Sequence, residues 1–364
     1  MIILNNKCNG CGILLQTTNK ENLGYITKIE NKLCDRCYQL KNFNVKFQKH
    51  LKPKEYFSII NKEIKNFDFI ILVIDCFNIT ASINKELLNV LKNKKIILLI
   101  NKIDLLPKSY KLNKMETLIK KLIPLNIEKM FFISAEKKYN IDTLVNYLNK
   151  NKIKKIPLIG MANVGKSSLV NAIVKSKTPS TKNLIIVSPY SGTTLDCIEK
   201  KIDNIVIIDT PGLINEKNII NYLDKNSIKK ITPKKEIKAM NYQLNDDNSL
   251  FITSLLQIDF IKGLKTSFTI YCSNAINIHR TKTEKTQELR EKFLYTKFFS
   301  LPEEKMDFTF ITEKIKIEKQ KMLFISGIGF VAFNNKKPIE IQITIPDVME
   351  YKIVDTIFKE KNDK

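Results

Sequence analysis

Residues 160–167, GMANVGKS, have the composition and spacing of a loop that binds phosphate. An apolar run precedes them and a helical pattern follows, so the backbone amides of residues 163–168 would meet a β-phosphate at the N-terminus of a helix, where the helix dipole favours an anion. Lys166 would reach the β- and γ-phosphates, and the Ser167 hydroxyl would ligate Mg²⁺. The predicted phosphate-binding residues are Gly160, Asn163, Val164, Gly165, Lys166, Ser167 and Ser168.

A second segment, IVIIDTPG, ends at Gly212 and reads as a strand followed by Asp-x-x-Gly. Asp209 would hold Mg²⁺ through water, and the backbone amide of Gly212 would meet a γ-phosphate. Upstream, SGTTLD supplies Thr194, or its neighbour Thr193, as a hydroxyl that closes on the metal only when a γ-phosphate is present. The catalytic residues predicted from these segments are Lys166, Thr194 and Gly212.

The segment LLINKIDLLPKS places Asn101, Lys102 and Asp104 at the end of an apolar strand, where α/β sheets bind ligands. The Asp104 carboxylate can accept hydrogen bonds from both N1–H and the 2-amino group of guanine. Adenine has neither donor and would leave this carboxylate unpaired, so GTP is favoured over ATP. In FFISAEKKYNID, the loop of Ser134 and Ala135 would place a backbone amide on the guanine oxygen, a role that is compatible with Ser134 as a helix cap.

Four cysteines near the N-terminus have the spacing of a structural zinc site, with two CxxC pairs separated by 22 residues. Four thiolates would complete a tetrahedral shell with no open position, so the metal would stabilise the fold rather than catalyse a reaction. A disulfide pair or a redox-active CxxC is the alternative, and it is disfavoured in a chain without a secretory signal. The predicted zinc ligands are Cys8, Cys11, Cys34 and Cys37, and the predicted buried thiols are Cys76, Cys197 and Cys272.

The pattern along the 364 residues divides the chain into three blocks. Residues 1–48 form the predicted four-cysteine zinc finger. Residues 55–222 alternate apolar runs with helical patterns, which predicts an α/β P-loop domain with a parallel sheet, whose first strand is residues 68–75. Residues 223–364 carry short alternating segments and one polar helix at about 282–298, which predicts a β-rich α+β domain.

The nucleotide motifs occur in an unusual order, because the two base-reading loops precede the phosphate loop and the two switch segments follow it. A domain whose natural termini lie close together can be joined there and opened elsewhere without loss of its core. The order therefore predicts a circularly permuted GTPase domain. The second switch would then lead directly into the C-terminal domain, so the nucleotide state could shift that domain.

The formal net charge of +24 indicates a polyanionic partner such as RNA, although the abundance of Lys, Asn and Ile could also reflect a biased genome composition. Only three arginines occur, Arg36, Arg280 and Arg290, and each is a candidate contact because lysine cannot imitate the guanidinium fork. The finger combines basic and aromatic residues, which suits RNA, and docking against the next domain is the alternative. No apolar run is long enough to cross a bilayer and no signal peptide is evident, so we expect a cytoplasmic protein.

The ordered set of CxGCG…CxRC, NKID, SA, GxxNVGKS, SGTTLD and DTPG resembles the YqeH family of circularly permuted GTPases. The resemblance covers nearly the whole chain and continues in ITPKKEIKAMNYQL and IHRTKTEK of the C-terminal block. It implies a monomeric GTPase that assists assembly of the small (30S) ribosomal subunit through contact with rRNA. A membrane partner is not expected, because no amphipathic anchor or lipidation motif accompanies the positive charge.

The resemblance also implies roles for single residues. Asn163 resembles the asparagine that coordinates potassium beside the phosphates in related GTPases, where the cation would offset charge on the leaving group and so make Asn163 a catalytic residue. Leu213 stands where a Ras-like protein carries its water-positioning Gln, so hydrolysis should be slow unless the ribosome stimulates it. His279 and Arg280 are candidate RNA contacts, with a structural role as the alternative for His279.

Two departures from the family pattern concern the nucleotide site. The loop SAEKKYN lacks the lysine and glycine that are common after Ser-Ala, and SGTTLD replaces the usual Pro-Gly, so nucleotide affinity could be weaker. With Leu213, these departures motivate an alternative function, an RNA-binding scaffold whose guanine-nucleotide site is structural and catalytically inert.

Overall fold

The structure is a computed structural model in which residues 3–8, 14–18, 24–35, 38, 53–177, 197–294, 296, 298, 299, 301, 302 and 306–359 are described. The chain divides into two compact units, and each unit is assembled from three separate segments. The first unit comprises Met1–Ile74, Glu86–Asn101 and Leu125–Ile214, and the second comprises Asp75–Lys85, Lys102–Pro124 and Asn215–Lys364.

The N-terminal part of the first unit contains a two-stranded antiparallel ribbon of β1 (Ile3–Lys7) and β2 (Leu14–Gln16). A small cluster of buried side chains lies beside it and consists of Cys8, Leu15, Ile26 and Cys34.

The main feature of the first unit is a six-stranded sheet. Its strands are β3 (Phe69–Asp75), β4 (Lys95–Asn101), β5 (Ile127–Phe132), β6 (Lys155–Gly160), β7 (Ile198–Ile202) and β8 (Ile205–Asp209). They are arranged in the order β5-β4-β3-β6-β8-β7. The pairs β4–β5, β3–β6 and β6–β8 are parallel, and β7–β8 is an antiparallel edge. Strands β3, β4 and β6 are buried along almost their whole length, which is why their sequences are continuously apolar.

The helices described between residues 53 and 177 are α1 (Pro53–Ile64), α2 (Lys85–Leu91), α3 (Leu112–Leu122), α4 (Ile141–Lys150) and α5 (Lys166–Lys177), of which α3 lies in the second unit. In α4 the buried residues are Ile141, Leu144, Val145 and Leu148, the i, i+3, i+4, i+7 spacing of an amphipathic helix. The predicted alternation of parallel strands and helices is confirmed.

The second unit contains a β sandwich of ten strands, which confirms the β-rich C-terminal region. The strands are β9 (Met240–Leu244), β10 (Asn248–Ile252), β11 (Leu256–Lys262), β12 (Thr266–Cys272), β13 (Ile278–Lys282), β14 (Phe310–Ile317), β15 (Lys321–Ile325), β16 (Gly329–Asn334), β17 (Ile339–Pro346) and β18 (Tyr351–Asp355). They form two antiparallel sheets in the orders β13-β10-β11-β17-β14 and β18-β15-β16-β12-β9. One core contains side chains of both sheets, for example Phe260 and Phe268, whose ring centroids lie 5.3 Å apart.

Among the described residues from 215 onward, the helices α6 (Lys225–Ile231) and α7 (Thr286–Phe293) accompany the sandwich. The polar helix predicted at about 282–298 corresponds to α7, which is shorter than predicted. Residues 278–282 pair with β10 as an edge strand, and the helix ends before Leu294, whose backbone is extended. Among the described residues, no helix combines the length and apolarity needed to cross a membrane.

Candidate nucleotide site

The phosphate loop connects β6 to α5 and is shaped by residues that tolerate unusual backbone geometry. A Cβ atom on Gly160 would lie 2.5 Å from the Val73 carbonyl oxygen, so the strand beside the loop leaves no room for a side chain there. Asn163 has φ of +65° and Gly165 has φ of +96°. Asparagine and glycine are the residues that most readily adopt this left-handed region, which accounts for their occurrence in the loop.

The Lys166 side chain lies inside the loop. It is only 6% exposed, and its Nζ donates to the carbonyl oxygens of Gly160 and Met161, both at 2.9 Å. A buried ammonium requires such partners, since an unpaired charge is costly away from water. A phosphate group entering the loop would offer stronger, charged acceptors for the same donor.

The DTPG segment packs directly against the phosphate loop. The Ala162 amide donates to the Leu213 carbonyl at 2.7 Å. A Cβ atom on Gly212 would lie 2.7 Å from the Ala162 Cα and 3.0 Å from the Lys166 Nζ. Glycine is therefore required at 212 for steric reasons, and the DTPG segment contacts the phosphate loop. Leu213 is buried, with 2% exposure.

Asp209 fits a magnesium site. It ends β8, is 8% exposed, and its Oδ1 atom is buried without a hydrogen-bond partner among the described residues. A buried carboxylate oxygen is costly unless a ligand satisfies it, and Mg²⁺ prefers carboxylate, hydroxyl and water oxygens. Burial lowers the pKa of the neighbouring Lys200 ammonium, and the charge of Asp209 opposes that shift. Asp209 therefore lies in a charged, partly desolvated environment.

Asn101 joins the base-reading strand to two other loops. Its Nδ2 donates to the Val164 carbonyl at 2.9 Å, and its Oδ1 accepts from the Ala135 amide at 3.1 Å. Residues from three separated motifs, the NKID segment, the phosphate loop and the Ser-Ala loop, are thus brought together by one side chain that is 1% exposed. Ser134 is also buried, and its Oγ accepts from the Lys137 amide at 2.9 Å, so it stabilises a turn rather than the start of a helix.

The remaining base-reading residues, Lys102 and Asp104, lie in the second unit. Lys102 adopts φ of +67°, and Asp104 lies in a short 3-10 turn, Ile103–Leu105. The Oδ1 atom of Asp104 is buried and has no hydrogen-bond partner in the described part of the chain. An unsatisfied carboxylate oxygen at this position fits the N1–H and 2-amino donors of guanine.

Asp75 is a residue of this region that the sequence did not single out. Its Oδ2 lies 2.5 Å from the Lys102 Nζ, and its Oδ1 accepts from the Phe77 amide at 3.0 Å. Its own amide donates to the Ser82 Oγ at 3.1 Å. Asp75 ends the apolar strand β3 just as Asp209 ends β8, and this pattern could have identified Asp75 from the sequence. Asp75 therefore orients the lysine of NKID.

Replacing Asp75 by Asn should weaken GDP and GTP binding by roughly 5- to 30-fold, the loss expected for about 1–2 kcal/mol from one partly buried ion pair. Asparagine retains an oxygen for the Phe77 amide but has no charge for Lys102. Fluorescence titration with a labelled GDP would measure the change. Ser82→Ala is the control, since it removes a hydrogen bond of the same loop and keeps the charge; an equal loss in both variants would contradict an electrostatic role for Asp75.

The N-terminal cysteines fall partly within the described residues. Cys8 and Cys34 are buried, and the Cys34 amide donates to the Cys8 Sγ at 3.1 Å, so the structure brings one cysteine of each CxxC pair together. Cys11 and Cys37 lie outside the described residues, as do Thr193, Thr194 and Arg36. The described residues include no group of three or more His, Cys, Asp or Glu side chains that could hold a metal.

The other thiols differ from one another. Cys76 and Cys272 are fully buried, and burial raises the pKa of both, that of Cys272 to about 12. These two are unreactive core residues, as predicted. The prediction for Cys197 is wrong: it is only partly buried, because it precedes the edge strand β7 and lies outside the continuous core of the sheet.

The candidate RNA contacts in the sandwich have different surroundings. Arg280 is exposed on the edge strand β13, where one of its NH groups donates to the Gln243 carbonyl at 3.3 Å. His279 contacts Phe298 edge-on with ring centroids 4.8 Å apart, and burial lowers the pKa of its imidazole. Arg290 lies over the Phe310 ring at 4.4 Å and donates to Gln257, so its guanidinium is used within the sandwich.

Three family descriptions match the chain. Residues 155–257 match "50S ribosome-binding GTPase", residues 265–357 match "YqeH-like, C-terminal", and residues 48–150 match "Ethanolamine utilisation - propanediol utilisation". The first match includes the phosphate loop and the DTPG segment, and the second covers most of the sandwich.

Individual relatives span different parts of the chain. The protein YqeH of Bacillus subtilis is 32% identical over 345 residues, which are 90% of this chain and 93% of that protein. The chloroplast GTP-binding protein Brassinazole Insensitive Pale Green 2 of Arabidopsis thaliana is 25% identical over 76% of this chain and 46% of its own length. GTPase Der of Aquifex aeolicus is 34% identical over 46% of this chain and 39% of its own length. A solved structure, YjeQ from Thermotoga maritima, is 27% identical over 41% of this chain and 49% of that chain, with a TM-score of 0.28.

Proposed function

Because the chain belongs to the YqeH family of GTPases, we propose that it is a circularly permuted GTP-hydrolysing switch that acts in assembly of the small ribosomal subunit. The main support for a nucleotide site is the position of Asn101. Its side chain hydrogen-bonds to Val164 of the phosphate loop and to Ala135 of the Ser-Ala loop. Three motifs that are separated in sequence thereby contribute to one site.

The strand order supports the permutation. Strand β6, which leads into the phosphate loop, lies between β3 and β8, although β3, β4 and β5 all precede it in the chain. A chain joined at its natural termini and opened after the second switch would have this order, with the two base-reading loops first. The domain boundaries that we propose remain 1–48, 55–222 and 223–364.

The described residues suit GTP and Mg²⁺. Asp104 would accept from the guanine base, Lys166 and the loop amides would bind the phosphates, and Ser167, Thr194 and Asp209 would hold the metal, which would neutralise charge developing on the phosphates. The partnerless oxygens of Asp104 and Asp209 support these roles. We place potassium at Asn163, whose left-handed backbone exposes its side chain at the loop.

We assign one structural zinc ion to Cys8, Cys11, Cys34 and Cys37. The amide-to-sulfur hydrogen bond between Cys34 and Cys8 supports the assignment, since it brings together one cysteine of each CxxC pair. Thiolate ligands held by zinc would join the two CxxC pairs and so stabilise the fold of this block.

The partner that we propose is rRNA. The net charge of +24 favours a phosphate backbone, and Arg280 presents an exposed guanidinium on an edge strand. Phe298, which is 41% exposed and contacts His279, offers a ring on which an unpaired base can stack. A role on ribosome precursors would place a monomeric protein in the cytoplasm.

A second function, an inert RNA-binding scaffold, is favoured by one observation. Leu213 is buried, and its apolar side chain cannot orient an attacking water. Hydrolysis by this site would then depend on groups supplied from outside the chain.

Phosphate release measured with small or large ribosomal subunits, in potassium and in sodium, would separate the two functions. We expect small subunits and potassium to raise the rate by about tenfold or more, because a supplied positive charge stabilises the transferring phosphoryl group. Lys166→Ala is the negative control. Absence of stimulation under every condition would favour the scaffold, and stimulation by large subunits alone would contradict the proposed partner.

A further inference from the structure

The base-reading loop, defined as residues 102–111, is bound by the β sandwich within the second unit. Near the middle of the loop, the Ile237 amide donates to the Leu105 carbonyl at 2.9 Å. The Lys108 amide donates to the Glu236 carboxylate at 3.3 Å. Leu105 directly follows Asp104, so the first of these hydrogen bonds holds the peptide next to the residue that would read guanine.

The end of the loop is bound by a second segment, which follows β18. Tyr110 forms an isolated antiparallel bridge with Phe358, and the Lys111 amide donates to the Ile357 carbonyl at 2.8 Å. Lys114 in α3 adds a hydrogen bond from its Nζ to the Phe358 carbonyl at 2.9 Å. Residues 357–358 thus run alongside the junction between the loop and α3.

Both binding segments are themselves fixed to the sandwich. Ile357 is fully buried, and the Phe358 ring stacks on Tyr271 of β12 with centroids 4.6 Å apart and planes 11° from parallel. The Asn274 side chain accepts from the Lys238 amide and donates to the Glu236 carbonyl, both at 2.9 Å. The loop is therefore held by ordered parts of the sandwich.

The base-reading loop has few internal hydrogen bonds around Asp104 that could fix its conformation. Its hydrogen bonds around Asp104 are those of a single 3-10 turn, from Leu105 to Lys102 at 2.9 Å and from Leu106 to Ile103 at 3.2 Å. Recognition of two guanine donors by one carboxylate needs placement to within about 0.5 Å. A short turn does not supply that precision alone, because short 3-10 segments have poor hydrogen-bond geometry.

We propose that the β sandwich positions the base-reading loop, and that Phe358 and Ile237 are positioning residues that set guanine affinity and selectivity through Asp104. The inference rests on the proposed assignment of Asp104 to the guanine base. Loss of either contact would let Asp104 move and would weaken the hydrogen bond to the 2-amino group of the base more than it weakens phosphate binding.

The test compares GDP with inosine diphosphate, whose base lacks the 2-amino group. In the full-length chain, Phe358→Ala should speed GDP dissociation and lower the ratio of GDP to inosine diphosphate affinity by about threefold or more. The kcat at saturating GTP should not change. Val331→Ala is the matched control, because it removes a buried side chain from the core between the two sheets of the same sandwich and leaves the loop contacts intact.

A ratio that changes equally in Phe358→Ala and Val331→Ala would overturn the inference, since general loosening of the sandwich would then explain both. If Phe358→Ala does not fold, Lys114→Ala tests the proposal instead, because it removes the side-chain donor to the Phe358 carbonyl. This variant should also lower the ratio of GDP to inosine diphosphate affinity, and an unchanged ratio would contradict the proposal. Equal affinity of the unaltered chain for both nucleotides would overturn the assignment of Asp104, whereas the ribosome-stimulation experiment tests the proposed function separately.

Discussion

Replacing Lys166 by alanine should lower the affinity for GTP and GDP by about 10²- to 10⁴-fold. The estimate follows from the loss of one or two hydrogen bonds between a buried ammonium and charged phosphates, each contributing about 1.5–3 kcal/mol. In the structure the Lys166 Nζ is held by two carbonyls of the loop, so the donor already points into the space that the loop encloses. Isothermal titration calorimetry with GDP and a non-hydrolysable GTP analogue would measure the loss.

Lys175→Ala is the matched control for this variant. Lys175 is exposed on the same helix, α5, so its removal changes the net charge equally and should leave affinity within about twofold. Retention of full affinity by Lys166→Ala, with the control also unaffected, would show that the Lys166 ammonium does not bind the phosphates.

Replacing Asp104 by asparagine should change the base preference from guanine to xanthine. The asparagine amide loses one of two acceptors for the guanine donors and would instead donate to the C2 oxygen of xanthine. A site built to hydrogen-bond a group rejects a mismatched partner strongly, so GDP affinity should fall by about 10²-fold or more. Xanthosine diphosphate should become the tighter ligand.

Competition of both diphosphates against a labelled nucleotide would report the preference in a single assay. Asp203→Asn is the control, because Asp203 lies in the exposed turn before β8, at the opposite end of that strand from Asp209. If GDP and adenosine diphosphate already bound the unaltered chain equally well, Asp104 would not read the base.

The sequence predicts those parts of the fold that depend on residues close together in the chain. Strands such as β3 and β4 are recognisable because each is continuously apolar and buried, and the phosphate loop because Gly160, Asn163 and Gly165 occur where the backbone requires them. The contacts between Asn101, the Ser-Ala loop and the phosphate loop were predictable for the same reason, since these motifs follow the strands β4, β5 and β6 of one sheet. Burial of Asn101 and the contact of Gly212 with the phosphate loop agree with that expectation.

Other features could not be predicted because they depend on contacts between distant segments or on turns that contain none of the residues typical of turns. The pairing of Asp75 with Lys102 is one such contact. The segment SLFITSLLQIDFI contains no glycine, asparagine or proline, yet it splits into β10 and β11 at Thr253, which has φ of +64° and accepts from the Leu255 amide. The helix expected from residue 282 begins later, because residues 278–282 pair with β10.

The bond between Lys114 and the Phe358 carbonyl joins residues 244 positions apart, and it has a consequence for biosynthesis. At about 5–20 residues per second, translation delivers Phe358 roughly 10 to 50 seconds after Lys114. During that interval the nascent base-reading loop lacks the later segment that we propose positions it. A newly made copy would thus become competent to select its nucleotide only late in its own synthesis.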